Sequence, residues 1–333
     1  MKTSIIICWE GIADRIYGPE GIAAIREMTD LKGVFTNEEI AADPSVLQDV
    51  QIIFSGWGGP LLDAKFLAAA PGLEAVFYGA GSIRYMVTPE FWAKGIPITS
   101  AWFPNGIPVA EYTEAQIVLS LKGFWRANRI CVSPETFRQP PEGTANGMWK
   151  TTVGLISLGM IGKMVAERMK THDVNIVAYD PFVSQEKADA LGLGVKMVGL
   201  AELFAMSDVV SLHTPNLPET KHMITGELLA SMKPHSTFIN TARGAVVDEE
   251  AMVRVLQERP DLYACIDVTN PEPPVEGSPL YTLSNVVLSP HIAGAIGNEC
   301  RRLGQFTVDE CARFLKGEPL QWRVSEKMAA NMA

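Results

Sequence analysis

The stretch from Thr152 to Gly162 constrains this chain more than any other. Apolar residues run to Ile156, small residues follow at Ser157, Gly159 and Gly162, and a helical segment opens behind them. A strand that feeds a helix through such a turn is the first half of a βαβ unit. The first N–H groups of the helix lack partners within it and carry partial positive charge. A dinucleotide pyrophosphate can sit there if the turn carries almost no side chain. The next apolar run, Asn175 to Tyr179, ends in Asp180, 18 residues after Gly162. That offset suits a carboxylate that binds the adenosine ribose hydroxyls. Such an acid favours NAD over NADP, whose 2′-phosphate would meet a like charge. The fingerprint usually begins with glycine, and here Ser157 takes that place. Its Cβ confines the turn to dihedrals open to an L-residue, which bears on loop geometry and cofactor affinity.

The 333 residues suffice for two domains, and a composition 47% hydrophobic and 20% charged describes a globular chain with a sizeable core. A net charge of −10 argues against nucleic acid and anionic membrane as partners. An anionic substrate would then need positive charge inside its own cleft. Cys8, Cys131, Cys265, Cys300 and Cys311 are odd in number and lack C-x-x-C spacing, which fits free thiols in a reducing compartment. The N-terminal apolar run is too short for a secretion signal, and no run reaches membrane-spanning length, so a cytoplasmic protein is expected.

Strands and helices alternate in the first third: apolar runs at 4–9, 52–55, 75–78 and 98–99, with helical segments at 21–28 and 61–70 between them. A long apolar helix is expected over 109–128. Residues 133–149, with Pro134, Pro140, Pro141, Gly143 and Gly147, read as an irregular connection. Alternation then restarts, with strands expected at 153–157, 175–179, 209–213, 237–240, 264–267 and 286–288. Six parallel strands would make a doubly wound sheet with ligands beyond its carboxyl ends. A helix over 294–316 should return to the first domain, and residues 326–333 read as a frayed tail.

Three chemically capable residues follow three of those strands: Arg243, Glu272 and His291. Hydride transfer to a 2-keto acid needs such groups. A guanidinium can bind the substrate carboxylate and polarise the keto group. An imidazole can deliver a proton to the developing alkoxide, and a neighbouring carboxylate holds the ring and favours its protonated form. Each residue alone has a structural reading, as a cap, a solvated loop acid or a buried histidine; their placement at successive strand ends favours chemistry. His213 also ends a strand and is expected to form a wall facing the cofactor. No metal-binding set is expected.

Together these pieces resemble the D-isomer-specific 2-hydroxyacid dehydrogenase family. The resemblance rests on 152–162, 179–182, 212–220, 240–248, 266–273 and 289–294, and in the first domain on Ala80-Gly81 and 108–111. It implies an α/β fold of two domains, each with a parallel sheet flanked by helices. A Rossmann-type NAD-binding domain (119–298) would be inserted into a flavodoxin-like substrate domain (1–118 plus 299–333). It implies that Arg243, Glu272 and His291 are catalytic, and that Met160, Ile161, Asp180, Thr220, Ala242 and Asp267 touch NAD, with Asp267 on the nicotinamide amide. Ser157, Gly159, Gly162, His213, Pro215 and Thr241 are placed with them. Ala80 and Gly81 would bind the substrate carboxylate through backbone N–H groups. The family implies a homodimer built through the NAD-binding domains.

Trp57 lies on a first-domain loop and is expected either to line the substrate side-chain pocket or to pack beneath the loop. The sequence does not identify the 2-hydroxy acid: phosphoglycerate stays open as substrate, although no regulatory domain follows residue 333 and the nearest first-domain cations, Lys65, Arg84 and Lys94, read as solvated rather than as a phosphate pocket. Formate is disfavoured because its oxidation has no alkoxide proton for His291 to manage. The competing reading is an NAD(H)-sensing, corepressor-like binding protein on the same fold.

Overall fold

The computed structural model describes residues 1–138 and 145–332; Pro140, Pro141 and Gly143 of the expected connection lie outside the described residues. The chain divides into one unit of Met1–Gly106 with Ala295–Met332, and a second of Ile107–Gly294. The sequence boundaries stood at 118/119 and 298/299. Residues 107–121 belong to the second unit because Ala110, Ile117 and Leu121 bury against its sheet residues Val153, Leu155 and Val209.

The first unit contains β1 (Thr3–Ile7), α1 (Ile12–Ile16), α2 (Gly18–Met28), β2 (Asp30–Phe35), α3 (Asn37–Ala42), β3 (Ile52–Ser55), α4 (Ala64–Ala69), β4 (Ala75–Tyr78), α5 (Pro89–Lys94) and β5 (Ile98–Ser100). All strands pair in parallel in the order β2-β1-β3-β4-β5. This is the flavodoxin-like order. Strands β3, β4 and β5 are buried along their whole length, as expected of a sheet covered on both faces. β2 was not expected. It is an edge strand, half exposed throughout and interrupted by Lys32 and Gly33, so it lacks the apolar run that marks a central strand.

The chain enters α6 (Trp102–Leu121), which starts earlier than expected and contains Pro108. A proline removes one helical hydrogen bond, and here that loss falls near the first turns. Gly123, at φ 64, ends this helix and starts α7 (Phe124–Ile130), so the expected single helix is two. The short α8 (Pro134–Arg138) replaces part of the irregular connection.

The second unit continues with β6 (Thr152–Ile156), α9 (Met160–Met169), β7 (Asn175–Tyr179), α10 (Gln185–Ala190), β8 (Val195–Met197), α11 (Leu200–Met206), β9 (Val209–Leu212), α12 (Gly226–Ala230), β10 (Thr237–Asn240), α13 (Glu249–Glu258), β11 (Tyr263–Ile266) and β12 (Val286–Leu288). Its sheet has seven strands rather than six, all parallel, in the order β12-β11-β10-β9-β6-β7-β8. The additional strand, β8, is a three-residue edge strand. The order reverses at β6 and β9, which sets the switch point beside the Ser157–Gly162 turn.

The chain returns to the first unit through α14 (Glu299–Lys316), which packs on α1, α2 and β4. Of the expected tail, residues 326–332 are anchored rather than frayed. Trp322 and Val324 bond to the backbone of β5, and Ser325 caps α15 (Glu326–Ala330), which buries Ala329.

Candidate active site and dinucleotide loop

The loop after β6 shows how the serine is accommodated. Ser157 takes φ 79, the left-handed region that glycine enters freely and that costs other residues about 1–2 kcal/mol. Its backbone N–H bonds to Tyr179 O at 2.7 Å. Its hydroxyl donates to Asp180 Oδ2 at 3.3 Å and accepts from Gly159 N at 3.3 Å. Asp180 also accepts from Leu158 N and Phe182 N, each at 2.9 Å. The serine thus enters the strained conformation and cross-braces the loop that a glycine would leave bare.

Two features fit this loop to a dinucleotide. Gly159 caps α9 with no side chain, which leaves the first-turn N–H groups of Met160 and Ile161 without a side-chain acceptor. A Cβ on Gly162 would lie 2.1 Å from Ser157 O, so glycine alone lets α9 approach the strand this closely. In addition, His213 Nε2 is buried without a partner, and burial lowers this imidazole to about 4. A neutral ring therefore faces the turn, with Cδ2 3.9 Å from the Gly162 Cβ position. Thr220 spends its hydroxyl locally, donating to Pro215 O at 2.6 Å and accepting from Leu217 N at 2.8 Å. Thr241 is buried, its hydroxyl 3.2 Å from that of Thr113.

Arg243, Glu272 and His291 follow β10, β11 and β12, three adjacent strands. Asn240 shapes the first loop: its Oδ1 accepts from Ala242 N at 3.0 Å and its Nδ2 donates to Arg243 O at 3.2 Å. Sequence reasoning passed over Asn240, although asparagine at a strand end is a turn signal. Gly244 lets this loop meet the next, since a Cβ there would lie 2.1 Å from the carbonyl carbon of Thr269. Arg243 Nη1 donates to Ala242 O at 2.6 Å. Burial pushes its guanidinium down from the ordinary range and the charge of Glu272 opposes that shift, so it stays cationic.

His291 Nδ1 lies 2.6 Å from Glu272 Oε1, and the pair is half exposed. With Nδ1 directed at the carboxylate, Nε2 is the nitrogen left for a reacting group. Glu272 Oε2 also accepts from Thr269 N at 3.4 Å. His291 takes φ 53, a left-handed position for a non-glycine residue, and its N–H bonds to Asp267 O at 2.9 Å. Asp267, only 3% exposed, holds the same loop through its side chain. It accepts from Ser289 Oγ at 2.6 Å, Ile292 N at 2.9 Å and Ala293 N at 2.9 Å.

In the first unit, the carbonyl oxygens of Ala80 and Gly81 both accept from Ser100 Oγ, the former at 2.9 Å. Their N–H groups make no hydrogen bond among the described residues. Trp57 is half buried: its ring packs against both cores of this unit and lies under the Arg15 guanidinium, 5.1 Å from its centroid. Lys65 and Lys94 are exposed.

Residues 116–293 match the model of the NAD binding domain of D-isomer specific 2-hydroxyacid dehydrogenases. The chain belongs to this family, and the domain is an NAD-binding one. It is 31% identical over 260 residues to D-3-phosphoglycerate dehydrogenase of Archaeoglobus fulgidus, covering 78% of this chain and 49% of that protein. The chain spans about half the length of the first such relatives it matches. It is 33% identical over 259 residues to glyoxylate reductase of Thermofilum pendens, covering 77% and 76% of the two chains. The structure of D-lactate dehydrogenase from Aquifex aeolicus, complexed with NAD and lactic acid, aligns at TM-score 0.73 and 25% identity over 99% of this chain and 98% of that one. No helix among the described residues is long and apolar enough to cross a membrane.

Proposed function

We propose that this chain interconverts a D-2-hydroxy acid and its 2-keto acid with NAD(H). The observation that carries the reading is the 2.6 Å contact of His291 Nδ1 with Glu272, one strand from Arg243 on the sheet that bears the dinucleotide loop. Bound NADH supplies the hydride. His291 holds a proton on Nε2 for the substrate oxygen, and Glu272 fixes the ring and balances its charge. Arg243, cationic and largely desolvated, grips the substrate carboxylate and polarises the adjacent keto oxygen. The N–H groups of Ala80 and Gly81 and the Trp57 ring are kept as substrate contacts contributed by the first unit.

We also propose that the protein is a cytoplasmic homodimer. Phe124, Val132, Phe137 and Trp149 supply exposed apolar surface on the NAD-binding unit, and sedimentation tests the dimer.

The direct test is His291→Gln. Turnover should fall at least a hundredfold, roughly the contribution of a general acid, while NADH binding measured by fluorescence stays within about twofold. Near-normal turnover in the variant overturns the assignment. NADH-dependent capture of a protein partner by a chain inert towards every keto acid would favour the sensor reading instead.

A further inference from the structure

Asp267 is reached from α6 by a chain of hydroxyl groups that the assigned roles leave unexplained. Tyr112 Oη lies 2.9 Å from Ser289 Oγ, and Ser289 Oγ lies 2.6 Å from Asp267 Oδ1. The direction of each bond follows from chemistry. A carboxylate only accepts, so Ser289 donates its single proton to Asp267. The Ser289 oxygen is then an acceptor towards Tyr112, and Tyr112 donates. Burial pushes the Tyr112 hydroxyl up, so it keeps the proton this direction requires. Its neighbour Gln116 is 7% exposed, with a buried Oε1 that has no partner.

The count of donors at Asp267 gives the chain a consequence. A carboxylate offers about four lone-pair positions. Ser289, Ile292 N and Ala293 N fill three. One acceptor position is left on a nearly buried group, and its direction is set by the three that are filled. A carboxamide N–H is a donor of the kind that position accepts.

We infer that Tyr112 and Ser289 are positioning residues for the nicotinamide carboxamide: their aligned hydroxyls fix Asp267 so that its last acceptor position faces the amide. The inference rests on the placing of the nicotinamide at Asp267. It assigns work to a tyrosine on α6 that lies far from the dinucleotide loop in sequence. Ile292 N and Ala293 N hold the loop after His291 independently of the hydroxyl chain, so the loop survives its removal.

The test compares two ligands in the whole chain: NADH, and ADP-ribose, which keeps the adenosine, pyrophosphate and second ribose but lacks the nicotinamide. Binding is read by calorimetry for the wild type, Tyr112→Phe, Ser289→Ala and Ser289→Thr, with melting temperatures confirming that each folds. One neutral hydrogen bond corresponds to a loss of about two- to tenfold. Tyr112→Phe and Ser289→Ala should weaken NADH by about that factor and leave ADP-ribose within about twofold, and Ser289→Thr, which keeps the hydroxyl, should restore NADH affinity. Equal losses for both ligands, or no loss for either, overturn the inference. If the wild type itself binds NADH no better than ADP-ribose, the nicotinamide is not at Asp267 and the underlying placement fails. If the wild type shows the preference and both variants retain it, the hydroxyl chain alone is refuted.

Discussion

His213 should give this protein a measurable acid sensitivity. Its Nε2 is buried without a partner, and its protonation is held back to about 4 by desolvation alone, against 6.5 for the free side chain. Between these values the unfolded chain binds more protons than the folded one, so stability rises with pH across that window. The contribution is complete above 6.5 and is lost progressively as pH falls towards 4. At pH 5 the imidazole is almost wholly protonated in the unfolded chain and almost wholly neutral in the folded one. Linkage then gives a difference of about 2 kcal/mol between pH 7.5 and pH 5. The ring keeps some solvent contact, which reduces the expected effect to about 1–2 kcal/mol. The assay is urea unfolding at the two pH values for the wild type and His213→Gln. The substitution has its own cost at pH 7.5, so the comparison is between slopes: the wild type should lose about 1–2 kcal/mol more than the variant on acidification. Equal slopes, or an imidazole that titrates near 6.5 by NMR in the folded protein, would refute the reasoning.

Gly244→Ala should cut turnover at least tenfold, because the new methyl must displace the Thr269 backbone that carries the Glu272 loop; a variant with wild-type kcat/KM contradicts the close approach. Glu310 is 2% exposed, accepts from Gln321 N and Trp322 N, and lies 3.2 Å from the Arg313 guanidinium as an ion pair. Glu310→Ala should destabilise the protein by about 1–3 kcal/mol by urea unfolding and free the C-terminal segment to proteolysis. For Trp57→Ala, the relative kcat/KM of small and bulky keto acids should shift towards the bulky ones, and an unchanged ratio would leave the ring a packing role only.

Legibility from sequence followed burial. The central strands of both sheets show as apolar runs because both faces are covered, and β3, β4 and β10 match their expected bounds. The edges β2 and β8 escaped notice, since solvent on one side removes the need for continuous apolar residues. The start of α6 was hidden because its prolines read as helix breakers, whereas the structure tolerates Pro108 inside the helix. The terminal helix α15 was missed because its anchoring depends on pairing with β5, a contact between distant parts of the sequence.

At the site, the strand-end positions of Arg243, Glu272 and His291 could be read from local pattern. The 2.6 Å contact between the last two could not, because it depends on two irregular loops meeting. Nor could the hydroxyl chain that joins Tyr112 to Asp267 through Ser289, since its ends lie far apart in the sequence. Ser157 shows the limit of a motif. A non-glycine residue at the first position signals a departure, and only the folded loop shows that it adopts the left-handed backbone and bonds to Asp180.

The most direct test of the central claim is NADH oxidation by the purified chain with glyoxylate, pyruvate, phenylpyruvate and 3-phosphohydroxypyruvate, followed by chiral analysis of each product that can be chiral. Turnover with at least one of these acids, giving the D-isomer wherever the product is chiral, is the predicted result. An NADH-binding protein that turns over none of them, or one that yields the L-isomer, would contradict the roles given to Arg243, Glu272 and His291.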